Sequence, residues 1–267
     1  METGQEVIRV ENISKTFPGV KALENVRMTV RAGEVHALVG ENGAGKSTLI
    51  KILTGAHQMD HGGSIYLYGK PVKIGNPAEA KAMGIGAVYQ DVMMAPHLSV
   101  GENFFLGKLP HRFGKVDWNT VYKKTGEILK SLNIDVDPRK RVKDLTIGLQ
   151  EMVSIAKIIH EEAKVIIFDE PTALLAAEEV GLLFSLIRRL KEQGRAIIYI
   201  SHRLEEIFTL CDSVTVLKDG KYVDTVPVAS VDENALIAMM VGRKLEDMYH
   251  IGHGGLGDVV LEVKGLS

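Results

Sequence analysis

The sequence predicts an α/β fold built on a sheet of mostly parallel strands. Short runs of β-branched and apolar residues recur along the chain, and several are almost continuously apolar, as expected of strands covered on both faces. Helical patterns lie between these runs, and that alternation is typical of βαβ units. Seven runs are predicted as strands: residues 7–10, 26–30, 35–39, 85–89, 165–168, 196–200 and 214–217.

Length, composition and charge are those of an ordinary folded protein. The chain has 267 residues, of which 45% are hydrophobic and 25% charged, which excludes disordered, collagen-like and disulfide-framework classes. The 32 basic and 34 acidic residues give a net charge of −2. Since no general basic field attracts nucleic acid, we expect no nucleic-acid partner.

The compartment is predicted from one cysteine and from the start of the chain. Cys211 is the single cysteine, which excludes an internal disulfide and a multi-cysteine metal cage and favours the reducing cytoplasm. The opening METGQEVIRV lacks the basic and apolar regions of a secretory signal, and no stretch approaches 18 apolar residues. We therefore expect a chain that does not cross a bilayer.

A phosphate-binding loop follows the predicted strand 35–39. The sequence GENGAGKST at residues 40–48 fits the pattern GxxxxGK[ST], and the helical pattern TLIKILTG follows it. Glycines let the backbone wrap a phosphate with its N–H groups inward, and the helix N-terminus adds positive potential. Lys46 is then expected to reach the β- and γ-phosphates and the Ser47 hydroxyl to ligate Mg²⁺. The loop predicts nucleoside triphosphate binding.

Residues 91–162 differ from the rest of the chain. They contain no convincing core strand and show helical patterns at 118–132 and 150–160, with glycines and prolines between the pieces. We interpret this stretch as a helical insertion whose surface is a candidate for partner contact.

Two later predicted strands end in polar residues. VIIF at 165–168 runs into Asp169 and Glu170, and AIIYI at 196–200 leads to His202. Ligands bind at the carboxyl ends of strands in open α/β sheets. Asp169 is therefore placed to hold Mg²⁺, Glu170 to orient the attacking water, and His202 to contact the γ-phosphate.

With these motifs in hand, the sequence resembles the ATP-binding cassette ATPases. More narrowly, it is similar to the N-terminal nucleotide-binding domain of tandem ATPases of bacterial monosaccharide importers, especially the ribose type. The segments that carry the resemblance span the chain: 14–23, 40–55, 88–107, 111–118, 144–157, 165–175 and 197–208.

The resemblance implies a P-loop fold of the ABC type, with a mostly parallel core sheet, an N-terminal antiparallel β subdomain and a helical subdomain. It assigns residues 1–90 and 163–258 to the ATP-binding core and 91–162 to the helical subdomain. VVLEVKGLS at 259–267 shares its pattern with VIRVENISKTF at 7–17. Residues 259–267 are accordingly expected to start a second, truncated ABC domain.

Residue roles follow from the same resemblance. Phe17 matches the aromatic that stacks on adenine, and Gln90 matches the residue that senses Mg²⁺ and the γ-phosphate. Glu170, His202, Lys46 and Gln90 are expected to be catalytic, and Ser47, Gln90 and Asp169 to bind the metal. The residues expected to bind the nucleotide are Phe17, Gly40, Glu41, Asn42, Gly43, Ala44, Gly45, Lys46, Ser47, Thr48, Thr146, Gly148 and Gln150.

The signature segment departs from the family pattern LSGGQ. Leu145 to Gln150 reads LTIGLQ, so that Thr146 and Gly148 keep the hydroxyl and the glycine while Ile147 and Leu149 differ. In the family this segment binds the γ-phosphate of ATP held on the opposing domain. Ala176 stands where many family members have an Asp. Whether the two ATP sites communicate in this protein is therefore an open question.

The expected function is ATP hydrolysis that powers import of a ribose-like monosaccharide. The resemblance implies ATP and Mg²⁺, a second ABC domain on the same full-length chain, a membrane permease contacted through residues 91–105, and indirectly a periplasmic or lipid-anchored sugar-binding protein. It places the protein in the cytoplasm, peripheral on the inner membrane face. Two alternatives stay open: a regulatory nucleotide-binding half with little turnover, and a non-transport ABC ATPase.

Overall fold

The computed structural model of the chain describes residues 4–89 and 94–242. Gln90 and the predicted start of a second domain at 259–267 lie outside the described residues. The strands are β1 (Glu6–Phe17), β2 (Val20–Arg31), β3 (Glu34–Val39), β4 (Ser64–Leu67), β5 (Lys70–Val72), β6 (Ile85–Val88), β7 (His111–Arg112), β8 (Lys115–Val116), β9 (Val165–Asp169), β10 (Ala196–Ile200), β11 (Ser213–Lys218) and β12 (Lys221–Pro227). The helices are α1 (Lys46–Leu53), α2 (Pro77–Ala82), α3 (Val100–Phe104), α4 (Trp118–Ser131), α5 (Ile147–His160), α6 (Ala177–Glu192), α7 (Leu204–Leu210) and α8 (Glu233–Val241).

Ten of these strands form one mixed sheet. Its order is β5-β4-β1-β2-β12-β11-β3-β10-β9-β6. The neighbours from β11 to β6 pair in parallel, whereas β5, β4, β1 and β2 pair antiparallel. The predicted α/β class, with a mostly parallel core and an antiparallel N-terminal part, is confirmed.

The central strands are buried on both faces, as their continuous apolar sequences predict. Every residue of β3 and β10 is buried. The one imidazole in β3 belongs to His36, whose two ring nitrogens lie 3.0 Å from Glu34 Oε1 and 2.7 Å from Thr215 Oγ1. Its burial is therefore compatible with a stable sheet, because both polar atoms have partners.

The parallel arrangement brings three strand ends to one edge. Strand β10 lies between β3 and β9 and pairs in parallel with both. The loops that follow Val39, Asp169 and Ile200 therefore leave the sheet side by side. These loops carry the predicted phosphate, metal and γ-phosphate contacts.

Helices dominate the described part of the predicted insertion, residues 94–162. Its only strands are the two-residue β7 and β8, joined through Phe113 and Gly114, which have φ values of 51° and 77° as in a tight hairpin turn. Helix α5 begins three residues before the predicted 150–160 pattern. The helix begins there because Thr146 caps it: the Thr146 Oγ1 accepts the Leu149 N–H at 3.3 Å.

No helix in the described ranges is long and apolar enough to cross a membrane.

Candidate nucleotide-binding site

The phosphate loop turns tightly between strands β2 and β11. Gly45 has a φ of 98°, a conformation that other residues rarely adopt, and a Cβ there would lie 2.5 Å from Leu23 Cδ2 and 2.8 Å from the Ala22 carbonyl oxygen. On the opposite side, a Cβ on Gly40 would collide with the carbonyl oxygen of Leu217. Close backbone approach from β2 and from β11 therefore requires glycine at both positions.

Lys46 is the first residue of α1, and its ammonium turns back into the loop. Nζ donates to the carbonyl oxygens of Gly40 at 2.7 Å and Glu41 at 3.1 Å. Burial lowers the pKa of Lys46, while the carboxylates of Glu170 and Asp169 oppose that shift. The first N–H groups of α1 have no partner within the helix, so loop, helix end and ammonium together form an anion site.

Asp169 and Glu170 follow the buried part of β9, as predicted. Glu170 has a φ of 51°, and its N–H donates to the Ile200 carbonyl at 3.0 Å. This bond ties the acid to the end of β10. Burial raises the pKa of Asp169, and the neighbouring Glu170 charge raises it further, against the opposing charges of Lys46 and Lys51.

The oxygen donors at this edge of the sheet, from Ser47, Asp169 and Glu170, fit Mg²⁺. Two adjacent carboxylates carry negative charge that the protein only partly compensates, which a divalent cation would relieve. Among the described residues, no group of three or more His, Cys, Asp or Glu side chains is placed to hold a metal ion. Ser47 and Asp169 would accordingly share Mg²⁺ with water and phosphate oxygens, the usual arrangement for this ion.

His202 stands directly beside Glu170. Its Nδ1 lies 3.3 Å from Glu170 Oε2, and its side chain is exposed. The strand order explains this contact, since β10 and β9 are neighbours. The predicted acid and histidine thus form one pair at the ends of two neighbouring strands.

The phosphate loop, Asp169 and Glu170 line one open cavity of about 580 Å³, and His202 lies outside its lining. Its lining brings together most of the predicted residues and adds five that were not predicted, namely Val20, Lys21, Ala22, Asp219 and Gly220. The lining is Val20, Lys21, Ala22, Asn42, Gly43, Ala44, Gly45, Lys46, Ser47, Thr48, Asp169, Glu170, Asp219 and Gly220. Gly40 and Glu41 lie at the start of the same loop and contribute the carbonyls that bind Lys46.

The added residues come from two hairpins. Asp219 and Gly220 form the turn between β11 and β12, and the Gly220 carbonyl accepts the Glu24 N–H at 2.8 Å. The sequence KDGK signals such a turn, but only the order of strands places it at the phosphate loop. Val20 to Ala22 open β2 on the same side.

Phe17 ends β1 and lies outside the cavity lining. Its ring packs edge-on against His57 with 5.4 Å between centroids, and Lys15 Nζ lies 5.2 Å from the ring centroid. Val20, which begins the next strand, does line the cavity. The stacking of Phe17 on adenine stays a prediction.

The signature residues also lie outside this cavity. Thr146 caps α5, and Gln150 Nε2 donates to the Leu145 carbonyl at 3.1 Å. Gly148 is buried, and the carboxylate of Glu179 lies against it while accepting the Ala176 N–H at 2.9 Å. The structure therefore separates Thr146, Gly148 and Gln150 from the phosphate loop of the same chain.

A phosphate loop between a buried parallel strand and a helix, with paired acids at the same sheet edge, defines a P-loop nucleotide-binding protein. The sequence model of the ABC transporter family matches residues 23–173. The chain belongs to this family, as an ATP-binding cassette.

Relatives match over the whole chain. It is 46% identical over 267 residues to the ribose import ATP-binding protein RbsA 1 of Streptomyces avermitilis, covering 100% of this chain and 51% of the relative. It is 45% identical to the galactose/methyl galactoside import ATP-binding protein MglA of Salmonella typhimurium, covering 99% of this chain and 52% of the relative. The chain thus spans about half the length of the curated relatives it matches.

Solved structures share the fold. The ADP conformation of MJ1267, an ATP-binding cassette of an ABC transporter, is 27% identical with a TM-score of 0.75, covering 89% of this chain and 99% of that one. CbiO1 from Clostridium perfringens, part of the ABC transporter complex cbiONQ, is 27% identical with a TM-score of 0.73, covering 91% and 97%.

Proposed function

We propose that this chain is an ATP-hydrolysing cassette that powers import of a monosaccharide. The observation that carries the proposal is that the phosphate loop, Lys46, Asp169 and Glu170 line one cavity and that His202 lies beside Glu170. An anion site and a pair of acids facing the same space can hold a triphosphate and act on its terminal phosphate.

Each group has a distinct proposed role. The loop amides and Lys46 hold the β- and γ-phosphates, and Lys46 leaves the Gly40 and Glu41 carbonyls to reach them. Ser47 and Asp169 would hold Mg²⁺, which would neutralise part of the phosphate charge. Gln90 is proposed to sense both the ion and the γ-phosphate.

Glu170 is proposed to orient the attacking water and accept its proton. Its carboxylate stands at the sheet edge where the γ-phosphate would lie, and His202 Nδ1 at 3.3 Å can keep that carboxylate oriented. His202 is exposed and can also contact the γ-phosphate. This pair favours turnover over the alternative of a regulatory half that only binds nucleotide.

The active assembly is proposed to need a second cassette of the same longer chain. Thr146, Gly148 and Gln150 would contact ATP on that second domain, since they lie away from the cavity of their own chain. The half-length match to relatives named as import ATP-binding proteins supports this arrangement. Residues 259–267 are proposed to begin the second domain.

The substrate class is proposed from the relatives. Their names specify import of ribose, galactose or methyl galactoside, and arabinose, so a monosaccharide is the proposed cargo. A binding protein would deliver it and a permease would contact the helical subdomain, residues 91–162, at the cytoplasmic face of the membrane. The ATP-binding core would comprise 1–90 and 163–258.

Phosphate release tests the proposal. The rate from MgATP would be measured per chain as protein concentration rises, with the Lys46→Ala and Glu170→Gln variants in parallel. We expect Glu170→Gln to bind ATP without releasing phosphate and Lys46→Ala to lose binding as well. Release by Glu170→Gln at the rate of the unmodified chain would overturn the assignment of the catalytic acid.

Whether the chain pairs with itself decides how the rate depends on concentration. A rate per chain that climbs with concentration indicates competent homodimers and a working Ile147 and Leu149 signature. A rate at the Lys46→Ala level, with ATP binding intact, indicates half of a composite site. In that case the second cassette would be added before the Glu170→Gln comparison is made.

A further inference from the structure

A buried carboxylate lies behind the catalytic edge of the sheet. Glu206, on α7, has only 6% of its surface exposed and has no role in the site described above. Both its oxygens accept hydrogen bonds from buried hydroxyl groups. Thr172 Oγ1 donates to Oε1 at 2.7 Å, and Tyr199 OH and Ser201 Oγ donate to Oε2 at 2.8 Å and 2.7 Å.

Two of these hydroxyls belong to the loops that carry the proposed catalytic pair. Thr172 follows Glu170 by two residues, and Ser201 directly precedes His202. Ser201 also accepts the Arg203 N–H at 3.0 Å, which fixes the backbone on the far side of His202. Each loop is thus tied to the same carboxylate within two residues of its functional side chain.

The third hydroxyl has a different position. Tyr199 is fully buried inside β10. Burial raises the pKa of the Tyr199 hydroxyl, and the Glu206 charge raises it further, so that it remains a donor. Its bond to Glu206, at 2.8 Å, is close in length to the other two, but the tyrosine belongs to the strand and not to a loop that carries a proposed catalytic residue.

The strength of the cluster follows from its surroundings. A buried carboxylate costs free energy unless its oxygens are hydrogen-bonded, and hydrogen bonds to a charged acceptor are shorter and stronger than neutral ones. Arg203 Nη1 stands 3.7 Å from Oε1 and adds a positive charge. Releasing either loop hydroxyl would leave part of the negative charge of Glu206 without a hydrogen-bond donor, so the cluster resists movement of both loops.

We propose that Glu206 is a positioning residue for ATP hydrolysis, which fixes the Glu170 loop and the His202 loop relative to each other through Thr172 and Ser201. This inference rests on the proposed function, because it assigns Glu206 an effect through Glu170 and His202. It assigns Glu206 no contact with the nucleotide.

The test compares removal of the three hydroxyls one at a time. Thr172→Val and Ser201→Ala each release one catalytic loop, whereas Tyr199→Phe removes a bond of similar length to the same carboxylate without releasing a loop. Because small displacements of catalytic groups have large effects, we expect kcat to fall roughly tenfold in the first two variants with KM for ATP within about twofold. Thr172→Ser should restore kcat, and Glu205→Gln, an exposed neighbour on α7, is the surface control.

A purely structural cluster gives a different pattern. All three variants would then lower the free energy of unfolding by similar amounts. Their kcat values would either fall equally or stay unchanged, and either result would overturn the proposal. Glu170→Gln separates this failure from failure of the proposed function. If Glu170→Gln still hydrolyses ATP, the catalytic assignment fails first.

Amide exchange gives a readout that needs no turnover. The Ala173 N–H donates to the Glu170 carbonyl at 3.2 Å within the loop that Thr172 anchors. We expect exchange at Ala173 to speed up roughly tenfold in Thr172→Val and to stay unchanged in Tyr199→Phe. Equal exchange in the two variants would overturn the positioning role.

Discussion

Replacement of Glu151 by glutamine is expected to remove a pH-dependent loss of stability. Glu151 lies in the second turn of the signature helix α5 and is 3% exposed, and its Oε1 has no hydrogen-bond partner among the residues that the structure describes. Burial raises its pKa to about 7 from an ordinary value of 4.5. Between about pH 4.5 and pH 7, the folded chain therefore holds a proton on Glu151 that the unfolded chain has already released.

The sign and size follow from that difference. An acid whose pKa is raised by folding destabilises the folded state progressively as pH rises from the unfolded value, about 4.5, to the folded value, about 7. At roughly 1.4 kcal/mol per pKa unit, the full loss is about 3 kcal/mol and levels off above pH 8. A neutral glutamine has no such loss.

Urea unfolding at several pH values measures the effect. The difference in free energy of unfolding between Glu151→Gln and the unmodified chain should change by at least about 2 kcal/mol between pH 5 and pH 8, in favour of the variant. Any constant cost of burying the amide cancels in this comparison. Glu127→Gln, at an exposed position of α4, is the control. Parallel stability curves for Glu151→Gln and the unmodified chain would refute the argument.

Three further substitutions test the site and its helices. Gly45→Ala should abolish ATP binding, because its Cβ would lie 2.5 Å from Leu23 Cδ2 at a φ of 98°; titration calorimetry measures this, and affinity like that of the unmodified chain would contradict it. Phe17→Ala should weaken ATP affinity roughly tenfold if the ring stacks on adenine, and unchanged affinity in the same titration would exclude stacking. Thr146→Val should lower the free energy of unfolding by about 1 kcal/mol through loss of the α5 cap, whereas Thr146→Ser should restore it; urea unfolding distinguishes the two, and an unaltered midpoint in the valine variant would argue against the cap.

The sequence predicts the strands that contain runs of apolar and β-branched residues and misses several that are short or mostly exposed. Every residue of β3 and β10 is buried, and apolar residues predominate in both strands because other parts of the fold cover both faces. The strands β4, with four residues, and β12, with mostly exposed ones, lack that signal. β1 also continues to Phe17, well beyond the apolar run 7–10, because pairing with β2 carries it past Asn12, which has a φ of 53°.

The site divides in the same way between local and long-range causes. The phosphate loop, the acids of β9 and His202 could be predicted because each depends on a strand and the few residues after it. Asp219 and Gly220 could not, since they reach the cavity only through the placement of β11 beside β3. Glu206 carried no sequence signal, because its partner Thr172 is 34 residues away along the chain and the nearer Tyr199 and Ser201 form no motif with it.

The positions of two helix ends explain why one cassette is proposed to be insufficient. Helix α1 directs its free N–H groups into the cavity, where Lys46 and the loop already form an anion site. Helix α5 begins elsewhere, with Ile147 exposed and Thr146 satisfying only the Leu149 N–H. None of the residues that line the cavity comes from the described part of the helical stretch, 94–162. A γ-phosphate bound at α1 would therefore be enclosed on one side only, and a second helix N-terminus supplied by another cassette would complete its coordination.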